Sequence, residues 1–238
     1  MADRRTDSQD GYVLHSRPYL ETSLMVEIFA RATGRLTLVA RGARRPRSAL
    51  RGVLMAFQPL TFSWYGKGEV RTLTKAEWGG GQPLLKGEAL LCGFYLNELM
   101  IKLLPREDGH EALFERYAEA LRHLAAEEPS APILRAFEKA LLAELGYAMM
   151  LDRDAANGEN IDPDGRYTYD PERGPVRLNG AAGLPEIDGR TLIALARDDY
   201  ADPAILVQAK MLMRWIINHR LDYKPLSSRR IFKELLEL

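Results

Sequence analysis

The chain contains one cysteine, Cys92, too few for an intramolecular disulfide or a multi-cysteine zinc site. Its setting, LLCGFYLNEL, marks it as a small core residue. Long hydrophobic runs are missing too. Nothing approaches the roughly 18 consecutive apolar residues of a membrane span, and the opening MADRRTDSQDGY lacks the apolar stretch of a secretory signal. A cytoplasmic protein without membrane contact is expected. The four histidines, His15, His110, His123 and His219, are scattered without an HExxH or other ligand spacing, so no metal site is expected. There is no GxxxxGK[ST] phosphate loop, for which Gly66-Lys67-Gly68 is too short, and no GxSxG elbow. Those absences argue against a helicase or loader ATPase and against a serine hydrolase, and no cofactor is expected. Acid pairs such as Glu127-Glu128 and Asp198-Asp199 suit solvated helix ends better than the converging carboxylates of a two-metal nuclease. A non-enzymatic role follows.

Net charge is also missing over the whole chain, with 33 basic and 33 acidic residues, but its distribution is uneven. Between Gly11 and Gly80 eleven Lys/Arg face four acids, a local +7, whereas residues 81–238 carry twenty basic against twenty-six acidic groups. The first segment suits a polyanion and the second does not.

From Tyr12 to Trp78 the apolar residues fall in short runs rich in β-branched and aromatic types, separated by turn residues. Five strands are predicted: Tyr12 to His15, Ser23 to Ala30, Arg35 to Arg41, Val53 to Trp64, and Val70 to Glu77. Thr33-Gly34 and Gly66-Lys67-Gly68 supply tight connections. Five short strands with no helical pattern between them suggest a small closed barrel, with the oligonucleotide-binding (OB) fold as leading candidate. Gly79-Gly80-Gly81 and Pro83 mark a change of period from two to about 3.6. An α+β chain is therefore expected, with an OB-fold barrel over 1–80 and an all-α domain over 81–238. Three helices are read around Leu90 to Leu104, Leu113 to Leu124 and Leu134 to Leu145, the last stopped by Gly146. An irregular insert over about 152–189 holds strand-like pieces at Arg166 to Asp170 and Pro175 to Leu178. Helices at Arg190 to Ala196, at Pro203 to Arg220 and from Ser227 onward complete the chain.

The sharpest local feature is Arg41-Gly-Ala-Arg-Arg-Pro-Arg-Ser, with Arg51 just beyond it. The segment contains no acid, and Gly42 and Pro46 keep it out of regular structure, so its guanidinium groups can fan over a phosphate backbone. Arg31, Arg35, Arg41, Arg44, Arg45, Arg47 and Arg51 are the candidate DNA contacts; an acidic protein surface is the other partner such a loop could meet. Binding of single strands also needs stacking platforms, for which Tyr19, Phe29, Phe57, Phe62, Trp64 and Tyr65 are candidates.

Several segments, in order YVLHSRPYLETSLMVEIF, GRLTLVARGARRPRS, LRGVLMAFQPL, GEVRTLTKAE, GFYLNELMIKLLPRED, LRAFEKALLAELGY and KPLSSRRIFKEL, resemble the RecO family of bacterial DNA-repair and recombination mediators. The resemblance covers both parts of the chain and leaves only the insert from Asp152 to Gly189 poorly matched. It implies an OB barrel followed by a helical domain, binding of single- and double-stranded DNA, annealing of complementary strands, and loading of RecA with RecR. It also implies binding of the acidic C-terminal tail of single-stranded-DNA-binding protein (SSB), with Arg135 taking the tail carboxylate and Leu142 and Leu145 lining a pocket. Some family members carry a four-cysteine zinc module in the insert; with no cysteine there, this chain is expected to lack it. Leu221-Asp222-Tyr223 stands where many relatives have a glycine pair. An adaptor that binds protein rather than DNA through its barrel is the competing reading.

Overall fold

The computed structural model describes residues 5–178 and 185–236, the last four by backbone alone. Five strands form the barrel: β1 (Arg5–Tyr19), β2 (Ser23–Ala30), β3 (Gly34–Ala40), β4 (Leu60–Tyr65) and β5 (Val70–Trp78). They close in the order β1-β2-β3-β5-β4, antiparallel except for the β3–β5 pair. This is the mixed five-stranded closure expected of an OB barrel. Its interior is apolar, filled by Val13, Val26, Ile28, Leu36, Leu38, Phe62 and Trp64 among others.

Two strands differ from their sequence expectation. β1 is much longer than Tyr12 to His15, because its polar first half, Arg5–Gly11, pairs with β4 while its second half pairs with β2. β4 begins at Leu60 rather than Val53. The apolar residues between them follow no strand alternation, Leu54 and Phe57 being buried while Met55 is exposed: a single 3-10 turn at Ala49–Arg51 runs on through Leu54, whose amide donates to the Leu50 carbonyl at 3.1 Å. Phe57 then takes a left-handed backbone conformation (φ 66°) that no strand accommodates.

The register of β1 against β2 shifts at a bulge between Val13 and His15, just after two regularly paired residues that face opposite sides. Val13 points into the barrel, while Tyr12 and, from β2, Phe29 meet helix α2 (Glu111–Ala125) through ring contacts with Phe114 and Tyr117 at 5.1–6.4 Å. The bulge releases the Leu14 carbonyl from the ladder. It accepts from Asn97 Nδ2 at 2.8 Å, and Asn97 Oδ1 in turn accepts from Tyr117 Oη at 2.6 Å. Asn97 lies on α1 (Gly87–Leu103), so one buried side chain joins a barrel strand to both helices. Burial raises the Tyr117 pKa well above its ordinary value, which keeps the phenol a proton donor.

The chain divides into two compact units, Met1–Glu128 and Pro129–Leu238. The first joins α1 and α2 to the barrel, so the strand-to-helix transition at the glycine run lies inside it. The second holds helices α3 (Ser130–Glu144), α4 (Gly189–Arg197), α5 (Pro203–Arg220) and α6 (Ser227–Leu236). Asp202 caps α5 by accepting from the Ala204 amide at 2.8 Å, with Pro203 in the first turn. The insert is more ordered than its Gly, Pro, Asn and Asp content suggests. Strands β6 (Arg166–Asp170), β7 (Gly174–Arg177) and β8 (Ile187–Asp188) form a small sheet in the order β7-β6-β8. Tyr167, Tyr169 and Ile187 of that sheet pack into one core with Leu192, Leu212 and Ile216. Buried Asp154 accepts from the amides of Ala156 and Arg177, at 2.8 and 3.3 Å. Asn179 to Leu184 in the insert lie outside the described residues. No described helix is long and apolar enough to cross a membrane.

Replacing Asn97 with Leu should lower the stability of the first unit by about 2–3 kcal/mol, since the Leu14 carbonyl then stays buried without its donor. Chemical denaturation monitored by circular dichroism reads this directly, and an unchanged midpoint would show that the bridge contributes nothing.

Candidate nucleic-acid interface

The loop after β3 is held by its own backbone. Gly42, at φ 67°, reverses the chain, and Ala43 is inserted into the barrel core. Amide-to-carbonyl bonds from Arg45 to Gly42, Ser48 to Arg45 and Arg51 to Ser48, at 3.0–3.2 Å, wind the segment into successive turns. The Arg44 amide donates to the Thr22 carbonyl at 2.8 Å, tying these turns to the β1–β2 connection. Leu50 and Val53 pack against the core and fix the far end.

On this frame Arg41, Arg44, Arg45, Arg47 and Arg51 are all exposed. Among the described residues none of the five has a carboxylate partner; Arg44 only reaches the Leu20 and Glu21 carbonyls, at 3.4 and 3.3 Å. Five like charges on a short ordered loop raise the local potential for an anion, and the guanidinium forks match phosphate oxygens.

Arg31 and Arg35 are placed differently from the sequence expectation. Arg31 is ion-paired to Glu115 and Glu111 on α2, lies over the Phe114 ring at 4.5 Å, and has its pKa raised first by the hydrogen bond to Glu115. Arg35 is paired with Glu27 at 2.5 Å, and its Nε and Nη2 donate to the Leu104 carbonyl at 3.1 and 2.9 Å. Both fasten the barrel to the helices. Sequence could not separate them from the loop arginines, because Arg31's carboxylate partners lie 80 and 84 positions away and Arg35's carbonyl 69, while Glu27 meets Arg35 only through strand pairing.

The aromatic candidates divide similarly. Phe29, Phe57, Phe62 and Trp64 are buried, Tyr65 is half-buried, and Tyr19 is exposed beside Leu20, at the turn that Arg44 touches. Sequence reasoning overlooked Trp78, which is 64% exposed at the end of β5. Its position between Glu77 and three glycines, with no apolar neighbour in sequence to pack on, is the signal that would have found it.

Family models agree with this architecture. Residues 4–81 match the model described as Recombination protein O N terminal, and residues 84–230 match Recombination protein O C terminal. The chain belongs to the RecO family. It is 56% identical to the DNA repair protein RecO of Aromatoleum aromaticum, over 99% of this chain and 98% of that one. Likeness to the proteins of the same name from Azoarcus sp. (54%, covering 99% and 98%) and Dechloromonas aromatica (56%, covering 98% of each) is as extensive.

The residues that the RecO resemblance implies for an SSB tail sit deeper than expected. Arg135 is buried and grips Glu138 through two bonds, Nε to Oε2 at 2.7 Å and Nη2 to Oε1 at 2.5 Å. Leu142 has no exposed surface and belongs to the core of the second unit, while Leu145 is half-buried after the last turn of α3. Among the described residues no cluster of three or more His, Cys, Asp or Glu is placed to hold a metal ion.

Truncating Arg135 to Ala should cost about 3–5 kcal/mol by stranding a buried carboxylate, whereas the double change Arg135→Met with Glu138→Leu should recover most of it. Denaturant midpoints of the three proteins decide this; equal midpoints for wild type and Arg135→Ala would show that the pair does not hold the core.

Proposed function

We propose that the chain is a non-catalytic DNA repair and recombination mediator that captures DNA electrostatically through the Arg41–Arg51 loop of its barrel. The observation that carries this reading is the set of five exposed arginines, without carboxylate partners among the described residues, on a loop braced by its own turns. Family membership and the relatives' printed name, DNA repair protein RecO, support the same conclusion.

Contacts of this kind read the phosphate backbone and not the base sequence, so single- and double-stranded DNA are both substrates. Annealing follows from the same physics. Neutralising the repulsion between two strands while leaving their bases uncovered lowers the barrier to pairing, and no covalent step is required. DNA and RecF-pathway proteins are the partners that RecO membership implies. RecR and the SSB tail, as named partners, rest on the family likeness alone. Of the two expectations for contact residues, the geometry favours the arginine loop over the Arg135 site, because engaging Arg135 requires breaking its pair with Glu138.

Arg44→Ala combined with Arg45→Ala should weaken binding to all sequences alike. It should also reduce the slope of log affinity against log salt by about 0.7 for each single-strand phosphate that the variant no longer neutralises. Fluorescence anisotropy with a labelled oligonucleotide over a salt series measures both. Unchanged affinity and slope would remove the loop from the mechanism, and no binding of naked DNA by the wild type would favour the adaptor reading.

A further inference from the structure

Phosphate contacts cannot tell a single strand from a duplex, so a device that does must recognise something pairing hides. The first unit contains a cleft of about 450 Å³ with the right chemistry, lined by Val53, Met55, Gln58, Trp78, Gln82 and Leu84. Its wall is apolar and open to solvent: Trp78, Met55 and Leu84 are all large hydrophobic side chains left exposed. Its polar group is Gln58. That residue is 5% exposed, yet its Nε2 has no hydrogen-bond partner among the described residues. A buried amide donor without an acceptor is a standing cost unless something supplies the acceptor.

Local structure holds these parts in place. Leu60 pairs with Trp78 across β4 and β5, and the Gly79 amide donates to the Pro59 carbonyl at 2.9 Å, fixing the tryptophan beside the chain that follows Gln58. Gln82 closes the other side by donating from Nε2 to the Phe57 carbonyl at 2.9 Å. Gly52 and Val53, on the cleft wall, follow Arg51 directly, so the phosphate-attracting loop runs into the cleft mouth.

We propose that this cleft takes one unpaired nucleobase of a single strand, stacked on Trp78 and accepting a hydrogen bond from the Gln58 amide, while the loop arginines hold the adjoining phosphates. The proposal rests on the DNA-binding reading above and adds to it a base-dependent preference. An aromatic face, an unsatisfied amide donor on the cleft wall and flanking positive charge are together what a nucleotide requires. A paired base cannot enter without leaving its stack, so the cleft favours single strands.

The test compares short oligothymidylate with an abasic oligonucleotide of the same length and backbone charge, together with a duplex, by anisotropy at fixed salt. Thymine offers carbonyl acceptors to Gln58. Wild type should prefer oligothymidylate over the abasic strand by about five- to a hundredfold, the range of one base stacked on an aromatic side chain. Trp78→Ala should abolish that preference and leave duplex binding unchanged, and Trp78→Phe should keep most of it. Gln58→Leu should reduce the preference and raise the denaturation midpoint, because it removes an unsatisfied buried donor. Arg44→Ala with Arg45→Ala should weaken all three ligands together and leave the preference intact.

Equal wild-type affinity for the thymidylate and abasic strands would overturn the base site while leaving the phosphate reading standing. A preference that survives Trp78→Ala would place base recognition elsewhere and overturn it as well. Binding of none of the three DNAs would defeat the DNA reading and this proposal together.

Discussion

The first unit depends on the hydrogen bond from Asn97 to the Leu14 carbonyl. A closed barrel leaves few backbone groups unpaired, but a bulge must, and an unpaired carbonyl pressed against helices would be expensive. Asn97 satisfies it and passes the connection on to Tyr117. Just before the bulge the strand's alternation sends Val13 inward and lays Tyr12 against the aromatic rings of α2. Nearby, Arg35 and Glu27 lock the outer side of β2 and β3 to the segment after α1. Close backbone approach completes the seam: a Cβ at Gly34 would stand 1.7 Å from the Asp108 carbonyl oxygen, and one at Gly109 2.5 Å from that of Ala32.

That seam explains why basic residues of similar appearance have different fates. Arg31 and Arg35 lie where the barrel meets helices carrying Glu111, Glu115 and the Leu104 carbonyl, and their charge is committed to holding that contact. The loop arginines lie beyond the end of β3 and meet no carboxylate among the described residues. The charge run is legible in the sequence because Arg41–Ser48 contains no acid and carries its own breakers, Gly42 and Pro46. Which arginines are committed to structure is not, since that depends on long-range packing. Arg135 shows the same limit: its partner Glu138 is only three residues away, a spacing equally common on exposed helices, and sequence says nothing of their burial.

The strands and helices are legible where periodicity is strong. β2 matches its expected bounds, as does α5, with Asp202 and Pro203 announcing its start. The segment before β4 misleads because a short string of apolar residues, VLMAF, resembles a strand even where, as here, only Leu54 and Phe57 are buried and a 3-10 turn runs into it. In the insert, β8 is two residues long and pairs with β6 only at Arg166 and Tyr167, too brief to leave a pattern. The order of the insert comes from Tyr167, Tyr169 and Ile187 reaching a shared core, which composition alone does not reveal.

The way the barrel is covered has a consequence for synthesis on the ribosome. Its last strand ends at Trp78, but Tyr12 and Phe29 find aromatic partners on α2, at Phe114 and Tyr117. A nascent chain emerging N-terminus first can complete its strands while an aromatic patch on the barrel still awaits α2. Through that interval the patch stays uncovered. Once Glu128 has cleared the exit tunnel the first compact unit is whole, before most of the second has been made.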